Sequence, residues 1–187
     1  MVIQEQIYSV ADLWALSHQH PERRFELSEG VLIEMSPAGG KHGGLAAMLN
    51  FRVFLFVQEH DLGFVTAAET GFILFKNPDG KDTARAPDVG FVTKARLPEG
   101  LPEGYIPVAP DLAIEVVSPN DSAEDIESKI NDYMRYGVKM FWFFYPKLKQ
   151  VRAFMPPATP QTLTIDDTLD GGDVLPGFTL ALKDVFE

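Results

Sequence analysis

Apolar and polar residues alternate with a period near two over much of this chain, and two longer stretches with helical spacing interrupt the pattern. "SVADLWALSHQ" predicts a short helix with Ser9 as N-cap and Leu13, Trp14 and Leu16 on its inner face. In "RRFELSEGVLIEM", two alternating runs flank Ser28-Glu29-Gly30, the pattern of a β-hairpin. The following "HGGLAAMLNFRVFLFVQEH" sets Leu45, Met48, Leu49, Val53 and Phe56 at i, i+3, i+4 spacing. Phe51, Phe54 and Leu55 fill the other sides, which predicts a helix buried nearly all round.

Three strand runs follow, "GFVTAAE", "TGFILFK" and "APDVGFV", the last two separated by the polar loop "NPDGKDTAR". "LAIEVVS" then leads into a helix expected from about Asp121 to Tyr136 and stopped by Gly137. The strands "MFWFFYP" and "KQVRAFM" share a short turn, and "GDVLPGFTLALKDVF" predicts a last strand and a closing hydrophobic turn. Strands outnumber helices, yet a strand–helix–strand unit sits at the centre. The expected class is therefore α/β (α+β): a mixed sheet flanked by helices, with an N-terminal helix and hairpin, in one domain over residues 1–187. In that order "FWFFY" fits a core strand better than a base-stacking platform.

Composition narrows the function. A hydrophobic fraction of 45% and a charged fraction of 23% are those of an ordinary globular chain, and the longest apolar runs are too short to span a bilayer. The opening residues lack the charged-then-apolar pattern of an export leader, so the expected location is the cytoplasm. The absence of cysteine removes disulfides, thiolate catalysis and thiolate zinc sites, leaving oxygen and imidazole for any metal. A net charge of −11 argues against broad non-specific binding to nucleic acid but leaves room for a local basic groove.

One residue breaks the apolar pattern. In "LAIEVV", Ala113, Glu115 and Val117 share one strand face and Leu112, Ile114 and Val116 the other, so Glu115 sits on a covered face. An ionised carboxylate there must protonate, find a cation or line a cleft. Asp88, after Pro87 at the start of another apolar strand, offers a second carboxylate; such a pair suits Mg²⁺ or Mn²⁺. In the next helix the core stripe is Ile126, Ile130, Met134 and Tyr133, with Glu124, Glu127 and Asp132 toward water. Lys129 flanks the stripe, and its stem is long enough to carry an ammonium back to Glu115.

Together "RFELSEGVLIEMSP", "KHGGL", "RAPDVGFV", "PDLAIEVVSPNDSAEDIESKINDYMRYGV", "FWFFYP" and "LPGFTLALKDVF" resemble the bacterial Uma-two family of restriction-endonuclease-like proteins, in the PD-(D/E)xK nuclease superfamily. The resemblance covers nearly the whole chain. It implies a restriction-endonuclease-like fold, a Mg²⁺-dependent (or Mn²⁺-dependent) phosphodiesterase site, DNA as partner, and a homodimer if both strands are cut. Asp88 and Glu115 match the motif acids, and the backbone carbonyl of Val116 is the usual further metal ligand. The superfamily's lysine normally lies two residues after the Glu, where this chain has Val117; Lys129 matches a lysine displaced onto the helix. Glu26 and His42 match further family positions, as a metal-shell acid and as an inward residue that bonds a carboxylate or orients water. A plainer reading of Glu26 pairs it with Arg23 or Arg24.

The leading expectation is a metal-dependent endonuclease, with DNA contacts from Lys76, Lys81 and Arg85, or from Lys41 and Arg52. A catalytically silent interaction or DNA-binding module that keeps the fold is the alternative, favoured by the acidic charge and by Val117. A hydrolase of a small phosphodiester is a third reading.

Overall fold

The computed structural model describes residues 6–187. Helix α1 (Val10–Gln19) starts at a reciprocal cap: the Asp12 N–H donates to Ser9 Oγ, and Asp12 Oδ2 accepts from the Ser9 N–H at 2.8 Å. Strands β1 (Arg24–Ser28) and β2 (Val31–Met35) form the expected hairpin. Its two turn residues, Glu29 and Gly30, both have positive φ, as the tight primed turn requires. Next come α2 (Gly40–Glu59), β3 (Gly63–Ala67), β4 (Phe72–Phe75), β5 (Thr83–Arg85), β6 (Val89–Thr93) and β7 (Leu112–Val116). Helix α3 (Ala123–Arg135) repeats the reciprocal cap with Ser122 and Asp125 and ends before Gly137, whose φ is +78°. The chain closes with β8 (Met140–Tyr145), β9 (Gln150–Phe154), β10 (Gln161–Thr164), β11 (Thr168–Asp170), β12 (Thr179–Ala181) and the short α4 (Lys183–Phe186).

A six-stranded sheet in the order β10-β9-β8-β7-β6-β3 forms the centre. Only the β7–β8 pair is parallel, because α3 makes the crossover between them; the other pairs are antiparallel. One face packs under α2: Leu49, Val53 and Val57 meet Val89, Phe91, Leu112, Ile114 and Val116. On the opposite face Ile130 and Tyr133 of α3 meet Ala113, Phe141 and Phe143. The mixed α/β class follows from these two apolar faces, and "FWFFY" is core strand β8, buried along its length except at Tyr145.

A second sheet, β2-β1-β5-β4, packs against Val10 and Leu13 of α1 through Leu27 and Ala84. Its strand β5 lies inside the expected polar loop. Asp82, Thr83 and Arg85 are buried there because partners satisfy them; Asp82, for example, accepts from the N–H groups of Val10 and Asn77. Phe72 of β4 crosses to the central sheet, where the missing side chain of Gly90 makes room for its ring. β12 and α4 are the expected last strand and closing turn, whereas β10 and β11 are additions to the expected order. Among the described residues no helix is long and apolar enough to cross a membrane.

Three helices depart from the expected burial. Phe51, Phe54 and Leu55 lie exposed on α2, which buries one stripe (Ala46, Leu49, Val53, Val57) rather than its whole circumference. On α3, Met134 is exposed and Asp132 buried, the reverse of expectation, because Asp132 has a cationic partner. On α1, Trp14 is 40% exposed.

A Cβ at Gly90 would sit 2.4 Å from the Phe72 ring. Gly90→Ala should therefore destabilise the protein by about 1–3 kcal/mol in urea unfolding, and Phe72→Leu in the same chain should recover part of the loss.

Candidate active site

Strand pairing fixes the first two acids. In the β6–β7 register Val89 lies opposite Ile114, which, continued by one residue, sets Asp88 opposite Glu115. The Val116 N–H donates to Asp88 Oδ2 at 2.8 Å, locking this carboxylate to the end of β7. His42, in the first turn of α2, brings Nε2 to 3.2 Å from the same oxygen. That hydrogen bond raises the imidazole pKa above its ordinary value, against the effect of burial. The buried Nδ1 of His42 has no hydrogen-bond partner among the described residues.

Glu115 is held from α3. Lys129 Nζ donates to its Oε2 at 2.9 Å, and the Tyr133 hydroxyl donates to its Oε1 at 2.5 Å. Burial pushes the Glu115 carboxyl up to about 7; Asp88 and Glu26 add to the rise and outlast the opposing pull of Lys129 and Tyr133. Burial also opposes the charge on Lys129, but Glu115 and Glu26 outweigh it and hold the ammonium above the usual lysine value.

Glu26 belongs to the other sheet, yet its Oε1 lies 3.3 Å from Lys129 Nζ. The same oxygen accepts from the Ala86 N–H at 3.0 Å, and Oε2 accepts from Arg85 Nη1 at 2.9 Å. Burial would raise the Glu26 pKa, but Lys129 and Arg85 overcome it and lower the value. Arg23 and Arg24 pair elsewhere, with Glu34 and Glu69. Arg85 also donates through Nε to Asp132 Oδ2 at 2.8 Å and through Nη2 to Ser128 Oγ at 2.8 Å. Being 2% exposed and fully paired, Arg85 is not a surface cation for DNA. Glu26, His42, Arg85, Asp88, Glu115 and Lys129 line a cleft of about 760 Å³ between the hairpin sheet, α2 and the end of β7.

The sequence profile of the Uma-two family, described as "Putative restriction endonuclease", matches residues 10–183. The chain belongs to this family. A solved structure from Anabaena variabilis, described as "a putative nuclease", shares the fold with a TM-score of 0.76 at 21% identity, over 87% of this chain and 89% of that one. No functionally curated protein matched the chain.

In this Uma-two protein the six residues singled out from sequence, Glu26, His42, Asp88, Glu115, Val116 and Lys129, all line the one cleft. Sequence reasoning missed the roles of Asp132 and Tyr133 and assigned Arg85 to DNA contact instead of to this buried network. Arg85 and Asp132 look like ordinary polar positions on a loop and a helix. Tyr133 was assigned to the core stripe, and its hydroxyl gave no separate signal. One clue was available: Asp132 and Tyr133 follow Ser128 and Lys129 by four residues, so each pair shares one helix stripe.

Among the described residues no group of three or more His, Cys, Asp and Glu is arranged to hold a metal. A hard divalent cation fits the donors that are present. Asp88 and Glu115 supply carboxylate oxygen, each with lone pairs beyond those its donors use. The upward shift of Glu115 comes first from burial, with the neighbouring carboxylates Asp88 and Glu26 adding to it.

Two outcomes test this electrostatic account. Arg85→Met leaves Asp132 without its cation and Glu26 with Lys129 alone, and should cost about 3–5 kcal/mol in chemical denaturation. Arg24→Met, which breaks an exposed pair, should cost less than about 1 kcal/mol. The second concerns pH. Because folding raises the Glu115 pKa from 4.5 to about 7, the folded state holds a proton that the unfolded chain has released across that window. Glu115 therefore subtracts stability as pH rises from 4.5 through 7. In urea melts, Glu115→Gln should gain stability relative to wild type over that interval and show no further relative change above it.

Proposed function

We propose that this protein is a metal-dependent endonuclease that hydrolyses DNA phosphodiester bonds, with Asp88, Glu115 and Lys129 at its reactive centre. The observation that carries the reading is the arrival of Lys129 from α3 at the carboxylate of Glu115, although Val117 holds the strand position where a nuclease lysine ordinarily stands. Mg²⁺ or Mn²⁺ bound by Asp88, Glu115 and the Val116 carbonyl would supply Lewis-acid stabilisation of phosphate charge and a more acidic water.

The chain's own groups divide the remaining work. Lys129 stays protonated and offers a fixed positive charge to the charge that grows on the phosphate in the transition state. Tyr133 orients Glu115. His42 holds a proton at Nε2 against Asp88 and keeps that carboxylate turned to the cleft. Glu26, with both oxygens engaged, acts here as a positioning residue that steadies Lys129 rather than as a metal ligand. Of the cations nominated for DNA contact, Lys76 and Lys81 on the β4–β5 turn and Lys41 and Arg52 on α2 are exposed.

A catalytically silent module is the second reading. It draws on the internal satisfaction of Glu115, whose oxygens are both engaged by Lys129 and Tyr133.

Cleavage of plasmid and single-stranded DNA with Mg²⁺ and Mn²⁺ separates the two. Asp88→Ala, Glu115→Ala and Lys129→Met should each lower the rate by at least about 100-fold. Cutting that persists in all three variants would expose a contaminant, and no cutting by wild type on any substrate would favour the silent module. In thermal melts divalent ions should raise the melting temperature of wild type and lose that effect in Asp88→Ala and Glu115→Ala.

A further inference from the structure

The same cleft is also lined by groups of different chemistry. Trp14 lines it and stays 40% exposed, although its helix packs against the hairpin sheet. The indole is braced rather than loose. Tyr105 meets it edge-on with ring centroids 5.0 Å apart, and His18 packs at 4.4 Å. Tyr105 is itself tied to α1, its hydroxyl 3.1 Å from Ser17 Oγ. The short side chains of Ala47, Ala67 and Ala68 elsewhere in the lining leave the cleft open to a planar group.

The charges in the cleft speak against a duplex track. Four cationic side chains line it, and each is already paired: Arg23 with Glu34, Arg24 with Glu69, Arg85 with Glu26 and Asp132, Lys129 with Glu115 and Glu26. A duplex turns its phosphates outward and is held mainly by free Lys and Arg. A single strand carries phosphates too but adds exposed base faces, which aromatic side chains bind with little dependence on sequence and which a duplex keeps stacked inside.

We propose that Trp14, braced by Tyr105 and His18, stacks on an unpaired base, and that the strand cut in this cleft is single-stranded DNA. The proposal rests on the nuclease reading above and narrows its substrate. A single strand also needs one active site rather than the two of a homodimer.

Two readouts on the whole protein test it. Trp142 is fully buried, so quenching of tryptophan emission by a short single-stranded oligodeoxynucleotide reports Trp14. Wild type should show quenching by the single strand and far less by the same sequence as a duplex. In cleavage assays with Mn²⁺, Trp14→Leu should raise KM for the single strand by about tenfold, with kcat changed far less, and Trp14→Phe should restore most of the loss. Leucine keeps apolar contact with α1's neighbours while removing the π face, and a thermal melt confirms that the variant is folded.

An unchanged KM in Trp14→Leu, or faster cutting of duplex than of single strand, overturns the stacking subsite and leaves the nuclease reading standing. Quenching by the single strand without cutting of either form keeps the subsite and removes the nuclease reading. Neither quenching nor cutting removes both.

Discussion

The ammonium of Lys129 lies between Glu26 and Glu115, and the rest of the site depends on that placement. Glu26 comes from the hairpin sheet, Glu115 from the central sheet and Lys129 from the helix that crosses over the latter. One buried cation thus joins three parts of the fold. Its neighbourhood is not charge-balanced: Glu26, Asp88, Glu115 and Asp132 face Lys129 and Arg85, with His42 beside Asp88. Glu115, buried and with no arginine partner, has its pKa raised by that burial first and by Asp88 and Glu26 after it. Buried ion networks rarely add net stability over well-packed apolar residues, which is in keeping with the functional role proposed above.

Helical periodicity explains how α3 serves both acids at once. Ser128 and Asp132 are one turn apart and meet Arg85; Lys129 and Tyr133, shifted by one residue, are also one turn apart and meet Glu115. Adjacent stripes of a single helix therefore hold the Glu26–Arg85 pair on one side and the Glu115 carboxylate on the other. Ser28 on the hairpin closes the first group by donating to Asp132 at 2.9 Å.

Much of this was legible in the chain. Alternating runs and glycine-bearing turns announced the hairpin and the β7–α3–β8 unit, and Glu115 stood out because both faces of its strand are apolar. The unannounced parts of the site share one cause: polar residues buried by pairing look the same in sequence as polar residues facing water. Thr83 and Arg85 in the strand β5, and Asp132 on α3, are of this kind. The opposite error occurred on α2 and α1, where large apolar residues were taken as core. Phe51, Phe54, Leu55 and Trp14 lie off the buried stripe, and hydropathy cannot distinguish a covered ring from one that faces a cleft.

The displaced lysine has a physical consequence. With Val117 in the strand position, that side chain packs partly buried against the α3-side core instead of carrying charge. The ammonium then reaches Glu115 only while α3 is docked. A lysine on β7 would be set by the sheet's own hydrogen bonds, but Lys129 depends on the Ser122–Asp125 cap that starts the helix and on Ile130 and Tyr133, which seat it. Tyr133 performs both tasks, packing its ring among Phe141 and Phe143 while its hydroxyl orients Glu115. In this arrangement the packing of the crossover helix and the charge state of the site are one equilibrium, so whatever loosens α3 also releases the lysine from both of its carboxylates.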